Sequence, residues 1–202
     1  MATLQFWFDF ASTYSYPAAM QIERLAQERC IALSWNAFLL GRIFSAQGWN
    51  DSPFNLYPMK GRYMWRDLER ICEAERLPFR RPSRFPRNGL LAARITSHFM
   101  TEDWTPAFVR AVYQANFAED QDIAEPEVIA VCLRSVDQDA EAVLEAGAAA
   151  EAKSMLRSQT ERAVNLGIFG APSFIAGEEL FWGNDRLEEA LSWCRRLSEV
   201  KR

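Results

Sequence analysis

The chain has 202 residues, of which 49% are hydrophobic, 25% charged and 13% aromatic, and this is enough apolar chain for a core of its own, which excludes disordered, collagen-like and small disulfide-stapled classes. A formal charge of -4 offers no basic field to a phosphate backbone, so nucleic acid is not an expected partner. Residues 1–5 carry no basic n-region, the apolar run at 6–8 stops at Asp9, and nowhere do about 18 apolar residues run unbroken, so neither a signal peptide nor a membrane span is expected. Cys30, Cys72, Cys132 and Cys194 lie far apart with no CxxC pair, and each falls on the apolar side of a helical pattern or at a helix end. They read as buried, reduced thiols of a cytoplasmic protein. The sole histidine, His98, excludes hydrolysis at a metal held by two His ligands, and no metal is expected; His98 itself reads as a surface or core residue rather than a base.

In chain order, the aromatic alternation from Leu4 to Phe10 predicts a strand that feeds a loop through Ser12 to Ser15. Ala18, Ile22, Leu25 and Ala26 recur at helical spacing after Pro17, whose missing N–H is harmless in a first turn. Residues 31–38 read as a second strand, and the short helix between the two strands implies a parallel pair with a right-handed crossover. Residues 45–55, rich in Gly, Asn, Ser and Pro, read as a loop. From there to about residue 166 the period is helical, with faces at Met64, Leu68, Ile71 and Cys72, at Phe108, Val109, Val112 and Tyr113, and at Val128, Ile129, Cys132 and Leu133. Further helices are expected at 137–146 and 149–165. Pro78, Pro82 and Pro86, interleaved with Arg80, Arg81, Arg84 and Arg87, read as an extended, solvated basic connector. Residues 173–176 and 180–182 predict a β-hairpin turning at Gly177-Glu178, and a last helix follows from Asp185, whose spacing to Glu188 suggests a capping box.

The order β-α-β, helical block, β-β-α is that of an α/β thioredoxin fold with an all-helical insertion between the β-α-β and β-β-α halves. The division expected is 1–44 plus 167–202 for the thioredoxin-like part and 45–166 for the insertion. Ser12, between a strand end and a helix start, is placed either to cap the helix or to face an anion at the positive end of its dipole. Asp185 reads as a helix cap, and Lys60 on its own as a surface charge. Trp7, Phe38 and Trp182 read as core aromatics before substrate platforms.

Three segments carry a family resemblance over nearly the whole chain. Phe8-Asp9-Phe10-Ala11-Ser12-Thr13-Tyr14-Ser15-Tyr16, then Pro53-Phe54-Asn55 with Lys60, then residues 167–174 with Phe181-Trp182-Gly183-Asn184-Asp185-Arg186 together resemble the 2-hydroxychromene-2-carboxylate isomerases, relatives of kappa-class glutathione transferases and of DsbA-like proteins. Thr13 stands where that family usually has proline. The resemblance implies a glutathione-dependent isomerase, often dimeric, acting on 2-hydroxychromene-2-carboxylate or a related aromatic keto-acid. The thiolate of glutathione would add reversibly, the chromene ring would open with a cis-to-trans change, and glutathione would leave. It further implies that Ser12 is catalytic and holds the glutathione sulfur, and that Ala171 and a cis Pro172 pair with the glutathione backbone. Asn184 and Asp185 would bind the remainder of glutathione, with Asp185 on the γ-glutamyl ammonium. Asn55 would contact substrate or glutathione, and Lys60 a substrate carboxylate. A kappa-like glutathione transferase and a non-catalytic thioredoxin-like binding module stay open. Thiol–disulfide exchange does not, because serines stand where a cysteine pair would be needed.

Overall fold

A computed structural model of the chain describes residues 3–200. Its sheet is built around β1 (Thr3–Phe8), which pairs in parallel with β2 (Ala32–Ala37) and antiparallel with β3 (Ser173–Ala176), while β4 (Glu179–Trp182) closes the hairpin in the order β2-β1-β3-β4. The two-residue side-chain period of β1 explains its central place. Leu4, Phe6 and Phe8 face one core, and Trp7 faces a second one with Phe38, Ile43, Ala163, Ile168 and Ile175. Phe6 lies opposite both Trp35 and Phe174, with ring centroids 5.2 and 5.5 Å away. Truncating such a fully buried ring to alanine costs about 3–5 kcal/mol.

The crossover is α1 (Ser15–Gln27), which buries Ala18, Ile22, Leu25 and Ala26 as its spacing predicted, and Ala19 with them. After β2 come two short helices, α2 (Leu40–Ala46) and α3 (Pro53–Leu56), inside or beside the stretch read as loop. The helical block follows as α4 (Pro58–Ala74), α5 (Leu90–His98), α6 (Thr105–Phe117), α7 (Pro126–Arg134), α8 (Ala140–Ala148) and α9 (Ala150–Asn165). The face expected on α6, Phe108, Val109, Val112 and Tyr113, is fully buried. A 3-10 turn (Asn184–Arg186) then leads into α10 (Leu187–Val200), which buries Leu187, Leu191 and Cys194.

Several local expectations are corrected. Cys30 is exposed, unlike the buried Cys72, Cys132 and Cys194. It sits past the end of α1 at a φ of 53°, a turn that points its side chain away from the core. The basic connector is only partly solvated: Arg80, Arg81 and Arg84 are exposed, but Pro82 and Arg87 are buried. His98 is half-buried, its ring edge-to-face with Phe99 at a centroid separation of 4.6 Å, and its Nδ1 has no hydrogen-bond partner among the described residues. No described helix is long and apolar enough to cross a membrane.

Candidate active site

At the ends of β1 and β3 a cleft of about 1630 Å3 opens between the sheet and the helical block. Its floor is the loop from Asp9 to Tyr14, and two chain segments remote in sequence meet there. The Ser12 N–H donates to the Asp9 carbonyl at 2.9 Å, which closes a tight turn, and Ser12 Oγ donates across the cleft to the Ala171 carbonyl, also at 2.9 Å. The Ala171–Pro172 peptide is cis. Among the described residues nothing accepts the Ala171 N–H, while the Pro172 carbonyl accepts from the Gly183 N–H at 2.9 Å and so ties this segment to the end of β4.

Ser12 is not the cap of α1. The cap position is Tyr14, which makes no side-chain cap bond, so the Ser12 hydroxyl stands free of the helix and ahead of its positive end. Thr13 is almost fully buried beside it. The Tyr14 hydroxyl donates to Asp67 at 3.0 Å, and burial first, then Asp67, pushes its ionisation upward, so it stays protonated. Asp9 binds the loop to α2: one carboxylate oxygen accepts from the Ala11 N–H at 2.7 Å and the other from the Leu40 N–H at 2.9 Å. Desolvation raises its pKa, and these two hydrogen bonds act against the rise.

Of the residues singled out in the sequence, Ser12, Lys60, Ala171, Asn184 and Asp185 line the cleft, whereas Asn55 and Pro172 do not. The Asn55 amide is turned aside, donating to the Asp51 carboxylate at 3.1 and 3.2 Å and to the Phe85 carbonyl at 3.2 Å. Lys60 is exposed with its ammonium 4.9 Å from the Tyr57 ring. Asn184 holds its Oδ1 enclosed and without a hydrogen-bond partner among the described residues. Asp185 lies in the 3-10 turn ahead of α10 rather than in that helix. It is exposed beside Arg186, 3.8 Å away.

Trp182 is not a core aromatic, unlike the fully buried Trp7 and Phe38. It is 54% exposed at the cleft rim, paired edge-on with Phe169, itself 45% exposed, at 4.9 Å. Large aromatics left this open beside a cleft mark a contact surface. Gly170 permits the arrangement, since a Cβ there would lie 2.2 Å from the Trp182 indole nitrogen. Asp9, Phe169 and Arg87 were missed as cleft residues. Asp9 interrupts an otherwise aromatic strand end, and that alone signalled a carboxylate with a local task.

Known proteins share this fold. A family profile described as a DSBA-like thioredoxin domain matches residues 3–192. The chain is 28% identical over 187 residues to a 2-hydroxychromene-2-carboxylate isomerase of Sphingobium xenophagum, covering 92% of this chain and 94% of that one. It is 26% identical over 200 residues to glutathione S-transferase kappa 1 of Homo sapiens, covering 92% and 88%. A solved structure of a 2-hydroxychromene-2-carboxylate isomerase superposes with a TM-score of 0.88 at 26% identity, covering 98% of this chain and 97% of that one.

Proposed function

The chain belongs to the DSBA-like thioredoxin domain family, and on that premise we propose that it is a glutathione-dependent isomerase of an aromatic keto-acid such as 2-hydroxychromene-2-carboxylate. The observation that carries this reading is the Ser12 hydroxyl, bonded to the Ala171 carbonyl beside a cis proline, at the place where a thiol–disulfide enzyme needs a cysteine. Cys72, Cys132 and Cys194 are buried, and Cys30 lies beyond the far end of α1, about 20 Å along that helix from the Ser12 loop. The nucleophilic sulfur therefore comes with a bound ligand.

The cleft residues fit glutathione. The Ala171 N–H and C=O form an exposed edge to which a peptide-like ligand can add as a strand, and the partnerless Asn184 Oδ1 awaits a donor such as an ammonium or amide. When bound, glutathione supplies a thiolate that adds reversibly to the conjugated acid. The Ser12 hydroxyl, which bonds the Ala171 carbonyl in this structure, would hold the thiolate, and the Ala171 backbone would hold the peptide part of the ligand. Asp185 carries the charge for the γ-glutamyl ammonium, and Lys60 the charge for a substrate carboxylate. Phe169 and Trp182 provide an apolar rim for an aromatic ring.

The similarity to a kappa-class transferase favours one other reading, in which glutathione leaves joined to the product. Stoichiometry separates the two: an isomerase converts many equivalents of substrate per glutathione, a transferase one. Isothermal titration with glutathione comes first. Absence of binding at millimolar concentration would remove both readings and leave a non-catalytic thioredoxin-like binding module.

A further inference from the structure

Two side chains of α6 grip the backbone of the Ser12 loop. The Tyr113 hydroxyl donates to the Asp9 carbonyl at 2.9 Å, the same oxygen that accepts the Ser12 N–H. One turn on, Asn116 Nδ2 donates to the Phe10 carbonyl at 3.1 Å. The Asn116 amide cannot flip, because Arg87 Nη1 donates both to its Oδ1 at 3.2 Å and to its backbone carbonyl at 3.1 Å. Arg87 in turn is held by the Asp120 carboxylate, by the Asp120 carbonyl at 3.1 Å and by Ser83 Oγ at 3.2 Å. Asp120 is fixed by the Ser83 N–H at 2.8 Å.

The links nearest the loop are enclosed, with Tyr113 0%, Asn116 2% and Arg87 5% exposed, and the chain of bonds reaches the surface at Ser83. A buried ion pair and amide contribute little net stability compared with apolar packing of the same volume, yet they fix one geometry where apolar side chains would allow several. The geometry fixed here is that of the two carbonyls that precede Ser12. Ser12 has one short hydroxyl with which to reach its acceptor, and a hydrogen bond of this kind weakens steeply once its angle falls off.

We propose that Tyr113 and Asn116, the latter locked by Arg87 and Asp120, are positioning residues through which the helical insertion aims the Ser12 hydroxyl. The inference rests on the role proposed for Ser12, so its test has one arm that needs no glutathione. Amide hydrogen exchange in the ligand-free protein reads the Ser12 N–H. Tyr113→Phe keeps the ring and removes only the hydroxyl, and the Asp9 carbonyl retains the Ser12 N–H, so the variant is expected to fold. Exchange at Ser12 should quicken at least tenfold, while the centre of α6 stays protected. Unchanged exchange at Ser12 would overturn the proposal.

The second arm titrates the thiolate absorbance of bound glutathione and measures turnover. In Tyr113→Phe the thiol pKa should rise and kcat at pH 7 should fall about three- to tenfold, with the glutathione Kd within twofold of wild type. In a Ser12→Ala background the same substitution should change neither quantity, because positioning acts only through the hydroxyl it positions. An equal fall in kcat in both backgrounds, or a lower melting temperature with the titration unmoved, would make Tyr113 a packing residue and overturn the proposal. Arg87→Lys keeps the charge opposite Asp120 but loses the fork on Asn116, and should reproduce the titration shift. If wild type binds no glutathione while exchange at Ser12 responds as expected, the isomerase reading falls and the positioning of the loop stands.

Discussion

The Ser12 hydroxyl has one proton to give, and the ligand-free protein gives it to Ala171. A hydrogen bond to an ionised acceptor contributes roughly 1.5–3 kcal/mol, and about 1.36 kcal/mol corresponds to one pKa unit. Ser12→Ala should therefore raise the pKa of the bound thiol by about one to two units, and at pH 7 turnover should fall about tenfold to a hundredfold. Turnover should recover as the pH is raised. Superimposable thiolate titrations of wild type and variant would remove Ser12 from the chemistry. At Asp185 the structure sharpens the expectation drawn from the sequence. Because Asp185 is exposed in the turn ahead of α10, and Asn caps about as well as Asp, Asp185→Asn should leave the melting temperature where it was and weaken only glutathione binding, by the loss of one exposed charge. A drop in melting temperature with unchanged affinity, seen by calorimetry, would restore the capping role.

Among the elements, the junction of α3 and α4 depends on one glycine. A Cβ on Gly61 would lie 2.2 Å from the Phe54 carbonyl oxygen, and backbone cannot step aside as a side-chain tip can. Gly61→Ala should destabilise by about 1–3 kcal/mol, visible as a lower denaturant midpoint, and it should loosen the α3 wall of the cleft first. α2 shows why some elements escape a sequence reading. Ile43 is its one buried residue, so it carries no helical period, and the Leu40 N–H that opens it is satisfied from another loop by Asp9. The same holds for the connector before α5. Its prolines and arginines describe a solvated chain until Asp120, on a distant turn, takes Arg87 inside. By contrast, α1 was legible because it buries one face at helical spacing, and β1, β2 and the hairpin because each is a short aromatic or apolar run bounded by turn residues. Ser12 and Ala171 were legible only through a family pattern, since nothing local relates two residues 159 positions apart.

On the scale of the whole molecule, thiol chemistry and acid stability both report on how completely the chain closes. Burial pushes the Cys72 thiol up to about 12 and the Cys132 thiol to about 11. A maleimide at pH 8 should consequently label Cys30 at once and the other three only as the protein unfolds. Fast labelling of two or more thiols, counted by mass spectrometry, would contradict the closed core. In acid, the backbone N–H of Ser83 first, then Arg87, holds the Asp120 carboxyl down from 3.8 to about 2. A group depressed in the folded state stabilises above its unfolded pKa and loses that contribution as the pH falls through the folded value. The melting-temperature gap between wild type and Asp120→Asn should then be full above about pH 4 and close towards pH 2. Asp9, raised by burial, has the opposite sign: its contribution is present below the unfolded value and lost as the pH climbs through the folded one.

The place of β1 also bears on how the protein is made. One of its neighbours, β2, follows within a few dozen residues, but the other, β3, comes from the far end of the chain. About 160 residues separate Phe8 from Ser173, and at about 5–20 residues per second the ribosome needs roughly 8–32 s to deliver them. Through that interval the growing chain presents one open hydrogen-bonding edge on its most aromatic strand, flanked by Phe6, Trp7 and Phe8. Such an edge invites pairing with other nascent chains. A release-arrested polypeptide ending before Ser173 should therefore bind chaperones or aggregate, and extending it past Ala176 should abolish both behaviours in one step.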